Sequence, residues 1–234
     1  MHNKDREWRE MKILAVNGSP RKGWNTSQML ESVLKGAASL GAETELVNLY
    51  ELEPFTGCRS CFACKYNNES CYGKCGWQDG LTPLLEKIKT VDAFVLGSPV
   101  YLSDVSSGVR ALIERMIFPV FQYTNDNKSL VGKKIACGLI LTMNVPRHMM
   151  VRLHYNRPDG AFGLIQRFLG HFYGSCEMLC ACDTYQFDNY ADYVCTMFDA
   201  GHKAEMREKQ FPKDLQKAFD LGKLLISQAE KHQK

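Results

Sequence analysis

Several features are scarce or missing in this chain, and each absence excludes something. No apolar run approaches the ~18 residues that a membrane-spanning helix needs. The first ten residues, MHNKDREWRE, are charged and lack the apolar centre of a secretory leader. Neither a leader nor a membrane partner is therefore expected, and the predicted compartment is cytoplasmic. A charge of one sign is lacking too: 29 Lys and Arg stand against 26 Asp and Glu, a formal net charge of +3, with no basic block, so nucleic acid is not an expected partner. The six histidines are scattered, and no Ser/His/Asp or His/Glu metal spacing occurs, which argues against a hydrolase. Neither G-x-G-x-x-G nor G-x-x-x-x-G-K-[ST] is present, so the chain carries no dinucleotide fingerprint and no P-loop. Internal repeats and low-complexity linkers are absent as well.

What is present suits one α/β domain with elaborations. The chain has 234 residues, 45% apolar and 24% charged, an ordinary balance for a globular protein. The expected division is a polar N-terminal extension over 1–10 and a single domain over 11–234. Cysteine is abundant, with ten in all. Without a secretory signal such a number points to thiol, metal or redox chemistry rather than to a disulfide scaffold.

Lys12 to Ser27, KILAVNGSPRKGWNTS, is the most informative stretch. Lys12–Val16 is a buried-strand run, Asn17-Gly18-Ser19-Pro20 a turn, and a helical period begins about ten residues later. Ser19, Arg21, Asn25, Thr26 and Ser27 thus crowd the start of a helix, where unpaired N–H groups and the helix dipole favour an anion. With no dinucleotide fingerprint, a single terminal phosphate is expected there.

Further along, Leu30, Val33, Leu34, Ala37 and Leu40 continue the helix, and Gly41 is placed to end it. Glu43–Leu49 reads as an edge strand. Leu81, Leu84, Leu85 and Ile88 mark a helix, and Asp92–Gly97 is a central strand, apolar on both faces, opening into Ser98-Pro99-Val100-Tyr101-Leu102. A helix follows from Ser106 or Ser107. Lys134–Thr142 is a fourth buried strand whose end, at Thr142 and Met143, supplies another loop. Met143–Gly160 lacks periodicity and carries Arg147, Arg152 and Arg157, which suits either a lid or a solvated loop; Met149, Met150 and Phe162 suit an interface. A helix over 161–173, a strand over 176–185 and a closing helix over 211–233 complete the chain. Cys176, Cys180 and Cys182 share a strand face and read, with Cys137, as small core residues.

The runs ILAVNGSPRKGWNTS (13–27), GCRSCFACK (57–65) and VLGSPVY (95–101) resemble the NAD(P)H-dependent FMN reductase family of the flavodoxin-like superfamily, including its iron–sulfur flavoprotein branch. The resemblance covers about the first half of the chain; beyond about residue 143 it is topological. It implies a flavodoxin-like, doubly wound, five-stranded parallel sheet of order 2-1-3-4-5, with ligands at the carboxyl ends of the strands near the switch in strand order. It implies FMN, its phosphate on Ser19, Arg21, Asn25, Thr26 and Ser27 and its ring along Pro99, Val100, Tyr101, Leu102, Thr142 and Met143. NAD(P)H is the implied co-substrate, and a small acceptor such as flavin or quinone, or a redox protein, the implied electron partner. A homodimer or homotetramer is expected. Because flavin carries the redox chemistry, no catalytic acid or base has to exist. An electron carrier without nicotinamide turnover is the rival expectation.

The cysteine-rich loop, 57–78, holds Cys58, Cys61, Cys64, Cys71 and Cys75. C-x2-C-x2-C presents three thiols on one tight segment, a spacing that suits a [4Fe–4S] cluster whose fourth ligand is then Cys71 or Cys75. The resemblance favours Cys75 as the cysteine before an acidic helix start and places an insertion over 66–70. Zinc, or reduced thiols shaping a loop, are the competing readings.

Overall fold

A computed structural model describes residues 10–67, 70–126, 128–155 and 157–233. The expected 1–10 extension lies almost entirely outside the described residues, as does part of the 66–70 insertion.

The sheet is built on β1 (Lys12–Asn17), flanked by β2 (Glu43–Asn48) and β3 (Ala93–Tyr101); β5 (Ile135–Thr142) and β6 (Gly174–Ala181) follow on the far side of β3, all parallel. β2 is an edge, as its mixed sequence predicts, and β5 is buried at every position. The parallel strands therefore run along the anticipated path. The expected count of five is corrected to six, because a two-residue strand β4 (Asp104–Val105) pairs antiparallel with β3.

Helices cover both faces, as near-continuous apolar strands require. One layer holds α1 (Asn25–Ala38) and α7 (Phe211–His232), packed on Ile13, Ala15, Val95 and Ile140. The other holds α2 (Thr82–Thr90), α3 (Ser107–Val120), α4 (Arg147–Arg152) and α5 (Ala161–Tyr173), packed on Leu14, Val16, Phe94, Leu96 and Leu139. A short α6 (Ala200–Glu205) precedes α7. Chain order reverses between β1 and β3, since β1 leads outward to β2 and β3 outward to β5, and that reversal opens a crevice at the carboxyl edge.

Three sequence expectations change. Pro99, Val100 and Tyr101 are strand rather than loop: β3 runs on through them and turns back at Leu102 and Ser103, whose φ of 48° and 66° make a tight two-residue hairpin. β6 stops at Ala181 instead of Tyr185, because Asp183, at φ 59°, turns the backbone so that its N–H meets Val145 O and the N–H of Thr184 meets Met143 O. Met150 and Phe162 belong to the core rather than to an exposed interface. Cys137, Cys176, Cys180 and Cys182 do pack in one layer, but Cys182 lies just past the strand end.

Candidate functional site

Four strand ends converge on one cleft of about 300 Å³ at the reversal point. From β1 and its loop come Ser19, Arg21, Trp24, Asn25 and Thr26; from β3 Pro99, Val100, Tyr101 and Leu102; from β5 Thr142, Met143, Asn144 and Val145; and beyond β6 Thr184, Tyr185 and Gln186. Every residue anticipated for flavin contact lines it except Ser27, whose buried hydroxyl donates to Glu31 Oε1 at 3.1 Å. Arg147, Arg152 and Arg157 do not line it, and Arg157 pairs with Asp159 at 2.7 Å.

At the end of the cleft next to β1, the turn out of that strand is fixed by close backbone approach. A Cβ on Gly18 would lie 2.0 Å from Val109 Cγ2 and 2.9 Å from Gly97 O, the carbonyl that accepts the Gly18 N–H at 2.8 Å. Ser19 Oγ then accepts the Arg21 N–H at 3.1 Å. α1 starts without a side-chain cap at Trp24 and without an acid in its first turn. Its first helical bond is Gln28 N–H to Trp24 O, so the amides of Asn25, Thr26 and Ser27 come before the ladder and suit an anion. Thr26 Oγ1 and Thr142 Oγ1 are 2.8 Å apart, tying the loop of β1 to the end of β5.

Arg21 closes this end. Its guanidinium lies 3.8 Å from the Trp24 ring centroid, donates to Gln186 O at 2.7 Å and stands 3.8 Å from Asp188. Asn25 Nδ2 donates to Tyr185 O at 2.8 Å. At the other end Tyr101 is half exposed. Burial and the neighbouring Tyr50 raise its pKa against the opposing charge of Arg21, so its phenol stays protonated at neutral pH. Asn144 Oδ1 and Trp24 Nε1 are buried side-chain atoms without a hydrogen-bond partner among the described residues. A planar ligand with polar edges and a terminal phosphate fits this lining: uncapped amides and Arg21 at one end, backbone, Tyr101 and Asn144 at the other.

Trp24, Asn144 and Thr184–Gln186 were not legible as site residues. Trp24 is no capping type, while Thr184 and Tyr185 sat inside the expected strand and Gln186 just past its end. The polar run after the last apolar residue of that strand was the available signal. The rim behind them is held by Lys203, buried, which donates to Asn144 O at 2.8 Å and pairs with Asp183, while His202 Nε2 lies 2.7 Å from the same carboxylate.

The cysteine loop forms a second locus. Cys58, Cys61, Cys64 and Cys75 border one small cavity of about 20 Å³, with Trp77, Arg115 and Phe118; Cys71 is outside it. Among the described residues no three His, Cys, Asp or Glu side chains are gathered closely enough to hold a metal ion. By residue type the four cysteines that border the cavity are the ligands a thiolate-bound cluster takes, but their side chains are not gathered around a common centre. Burial raises the Cys64 pKa; Lys65 opposes this, and Cys75 and Cys58 add to it. Ser60 and Phe62, between the thiols, hold φ of 52° and 56°, conformations uncommon outside glycine and concentrated at functional loops. Lys65 fastens the loop by donating to the carbonyls of Phe118, Pro119 and Phe121 at the end of α3.

Residues 11–163 match the family model of NADPH-dependent FMN reductases. Among curated proteins, an iron–sulfur flavoprotein of Methanocaldococcus jannaschii is 37% identical over 107 residues, 45% of this chain and 51% of its own length. One from Archaeoglobus fulgidus is 34% identical over 157 residues, 66% of this chain and 65% of its own. The chain spans about half the length of the first curated relatives it matches. Among solved structures, an NAD(P)H:quinone oxidoreductase of Methanothermobacter marburgensis superposes with a TM-score of 0.62 at 14% identity, over 93% of this chain and 98% of that one. An azoreductase of Bacillus anthracis gives 0.59 at 14%, over 91% and 99%. These two likenesses establish the fold.

Proposed function

The chain belongs to the NADPH-dependent FMN reductase family, and from that premise we propose that it is a flavin-dependent oxidoreductase. It uses NAD(P)H to reduce bound FMN and delivers the electrons to a small acceptor, flavin or quinone, or to a redox protein. The observation that carries this reading is the convergence of four strand ends and the uncapped start of α1 on one cleft.

In this reading Ser19, Arg21 and Thr26, with the amides of Asn25–Ser27, hold the phosphate, and Pro99–Leu102, Thr142, Met143 and Asn144 lie along the ring. Bound FMN supplies hydride acceptance and one- or two-electron transfer. The protein's own task is to orient and shelter that group; Tyr101, protonated, offers a hydrogen-bond donor and an aromatic face. No general acid or base is assigned. A homodimer or homotetramer is the proposed assembly.

Cys58, Cys61, Cys64 and Cys75 are the proposed ligands of a [4Fe–4S] cluster, with Cys71 a spare thiol. The shared cavity wall and the iron–sulfur flavoproteins among the relatives support this. The rival reading is an electron carrier without nicotinamide turnover. Anaerobic purification followed by a visible spectrum and assays for iron and acid-labile sulfide tests the cofactors: flavin bands with about four iron per chain are expected, lost in Cys75→Ser and kept in Cys71→Ser. Anaerobic mixing with NADH or NADPH tests the activity. Bleaching fast enough for turnover is expected, and reduction by dithionite alone would leave the carrier reading standing.

A further inference from the structure

We infer that a second cleft, beside the flavin cleft, is a subsite for a phosphoryl group of an adenine nucleotide, with Arg207 as its cation. The inference rests on the nicotinamide-dependent reading above and deepens it. The second cleft, about 260 Å³, is lined by Trp24, Asn25, Tyr185, Asp188 and Arg207. Trp24, Asn25 and Tyr185 also line the first and form the wall between the two. Ser19, Thr26 and Thr142 line only the first, and Asp188 and Arg207 only the second. Two separate binding chemistries therefore stand back to back.

Arg207 sits in a π-helical turn, Met206–Gln210, between α6 and α7; such turns are uncommon and often mark functional positions. Its guanidinium rests 4.4 Å from the Phe211 ring centroid and donates to Asn25 Oδ1 at 3.1 Å and Gln28 Oε1 at 2.9 Å. Both acceptors are neutral, and among the described residues no carboxylate forms an ion pair with it. Burial works against its charge, and nearby Tyr185 works for it. A half-buried cation balanced only by amide dipoles, with further N–H donors remaining, matches a phosphoryl oxygen better than a solvated surface arginine does. Trp24 and Tyr185 supply aromatic faces on which a purine can stack, and Trp24 Nε1 is a donor without a partner. Asp188, largely exposed at the rim and 3.8 Å from Arg21, opposes an anion, so its removal should act in the direction opposite to that of Arg207.

The test uses full-length protein. FMN affinity is measured first by equilibrium dialysis; the FMN-loaded protein is then titrated calorimetrically with adenosine, ADP and 2′,5′-ADP. Wild type should bind a phosphate-bearing ligand at least tenfold more tightly than adenosine. Arg207→Gln should abolish that preference while leaving adenosine and FMN affinities within twofold, Arg207→Lys should restore part of it, and Asp188→Asn should tighten binding two- to threefold. A loss confined to 2′,5′-ADP assigns the ribose 2′-phosphate and hence NADPH preference. A loss confined to ADP assigns the pyrophosphate, and an equal loss the 5′-phosphoryl group the two share. Phosphate-independent binding in wild type, or no change in Arg207→Gln, overturns the subsite. So does a rise in FMN dissociation constant equal to that of the nucleotide, which would give Arg207 to the flavin phosphate. Failure of wild type to bind FMN defeats the parent reading and is seen in the first measurement.

Discussion

Asp79 and Arg115 form a buried ion pair at the exit of the cysteine loop, with Arg115 Nη1 2.5 and 2.6 Å from the two carboxylate oxygens. Their side chains are 10% and 1% exposed. The same guanidinium donates through Nε to Cys75 Sγ at 3.3 Å and through Nη2 to Trp77 O at 2.7 Å. Asp79 in turn accepts the N–H groups of Thr56 and Leu81. One residue of α3 thereby holds both the proposed fourth thiol and the start of α2.

Removing one partner of such a pair leaves the other buried and unpaired. Arg115→Met should lower unfolding free energy by about 3 to 5 kcal/mol, measured by urea denaturation. The double variant with Asp79→Asn should lose clearly less than the sum of the two single losses, because the coupling is removed together.

Acid stability should depend on Asp79 and Asp183. Burial opposes ionisation of each, but hydrogen bonds from Arg115 and backbone amides at Asp79, and from Lys203 and His202 at Asp183, outweigh it and hold both carboxyls below the ordinary 3.8. A depressed folded-state pKa contributes stability that is present above the unfolded value and is lost as pH falls through the folded one. Wild-type unfolding free energy should therefore decline below about pH 4, and Asp79→Asn should flatten that decline in a pH series of denaturant midpoints.

α1 and α7 meet backbone to backbone. A Cβ on Gly36 would lie 1.9 Å from Phe219 O, and one on Gly222 2.0 Å from Val33 O. Neither contact can relax by a side-chain rotation, so Gly36→Ala and Gly222→Ala should each destabilise by about 1 to 3 kcal/mol or more, despite the better helix propensity of alanine. A rise in thermal midpoint in either variant would contradict this packing.

Thiol reactivity should divide the cysteines. Burial pushes Cys176 and Cys180 up to about 12, Cys182 to about 11 and Cys137 well above its ordinary value, which keeps them as poorly nucleophilic thiols. In metal-free protein at pH 7.5 (about one unit below a free thiol), exposed Cys58 and Cys61 should react with a disulfide reagent first. Buried Cys137 and Cys182 should react only on unfolding, and part-buried Cys176 and Cys180 more slowly than the exposed pair, as peptide mapping would reveal.

On the proposed assignment, Arg21→Ala combined with Thr26→Ala removes one charge-assisted and one neutral hydrogen bond to the FMN phosphate and should weaken FMN binding by about 2 to 4 kcal/mol. Apoprotein should accumulate, and fluorescence titration gives the dissociation constant. An unchanged constant would mean that the phosphate lies elsewhere.

The central strands, the helices that follow them and the loop between β1 and α1 were readable because each is a local pattern: β1 and β3 are apolar on both faces, and the start of α1 gathers donors within a few residues. The C-x2-C-x2-C run was readable for the same reason. The choice between Cys71 and Cys75 was not, since spacing alone allows both.

The amino-acid sequence by itself determined the parallel α/β order, the donor-rich start of α1 and the thiol supply of the loop, because periodicity and short motifs act over one or two turns of chain. Tertiary structure alone decided that β3 runs on through Tyr101 into a hairpin, that β6 ends where Asp183 turns inward, and that Cys75 rather than Cys71 borders the common cavity. It also brought Arg207 to Asn25, 182 positions away. Such contacts depend on where the sheet delivers distant strand ends and on which backbones approach closely enough to exclude a Cβ, and neither is encoded in the spacing of neighbouring residues.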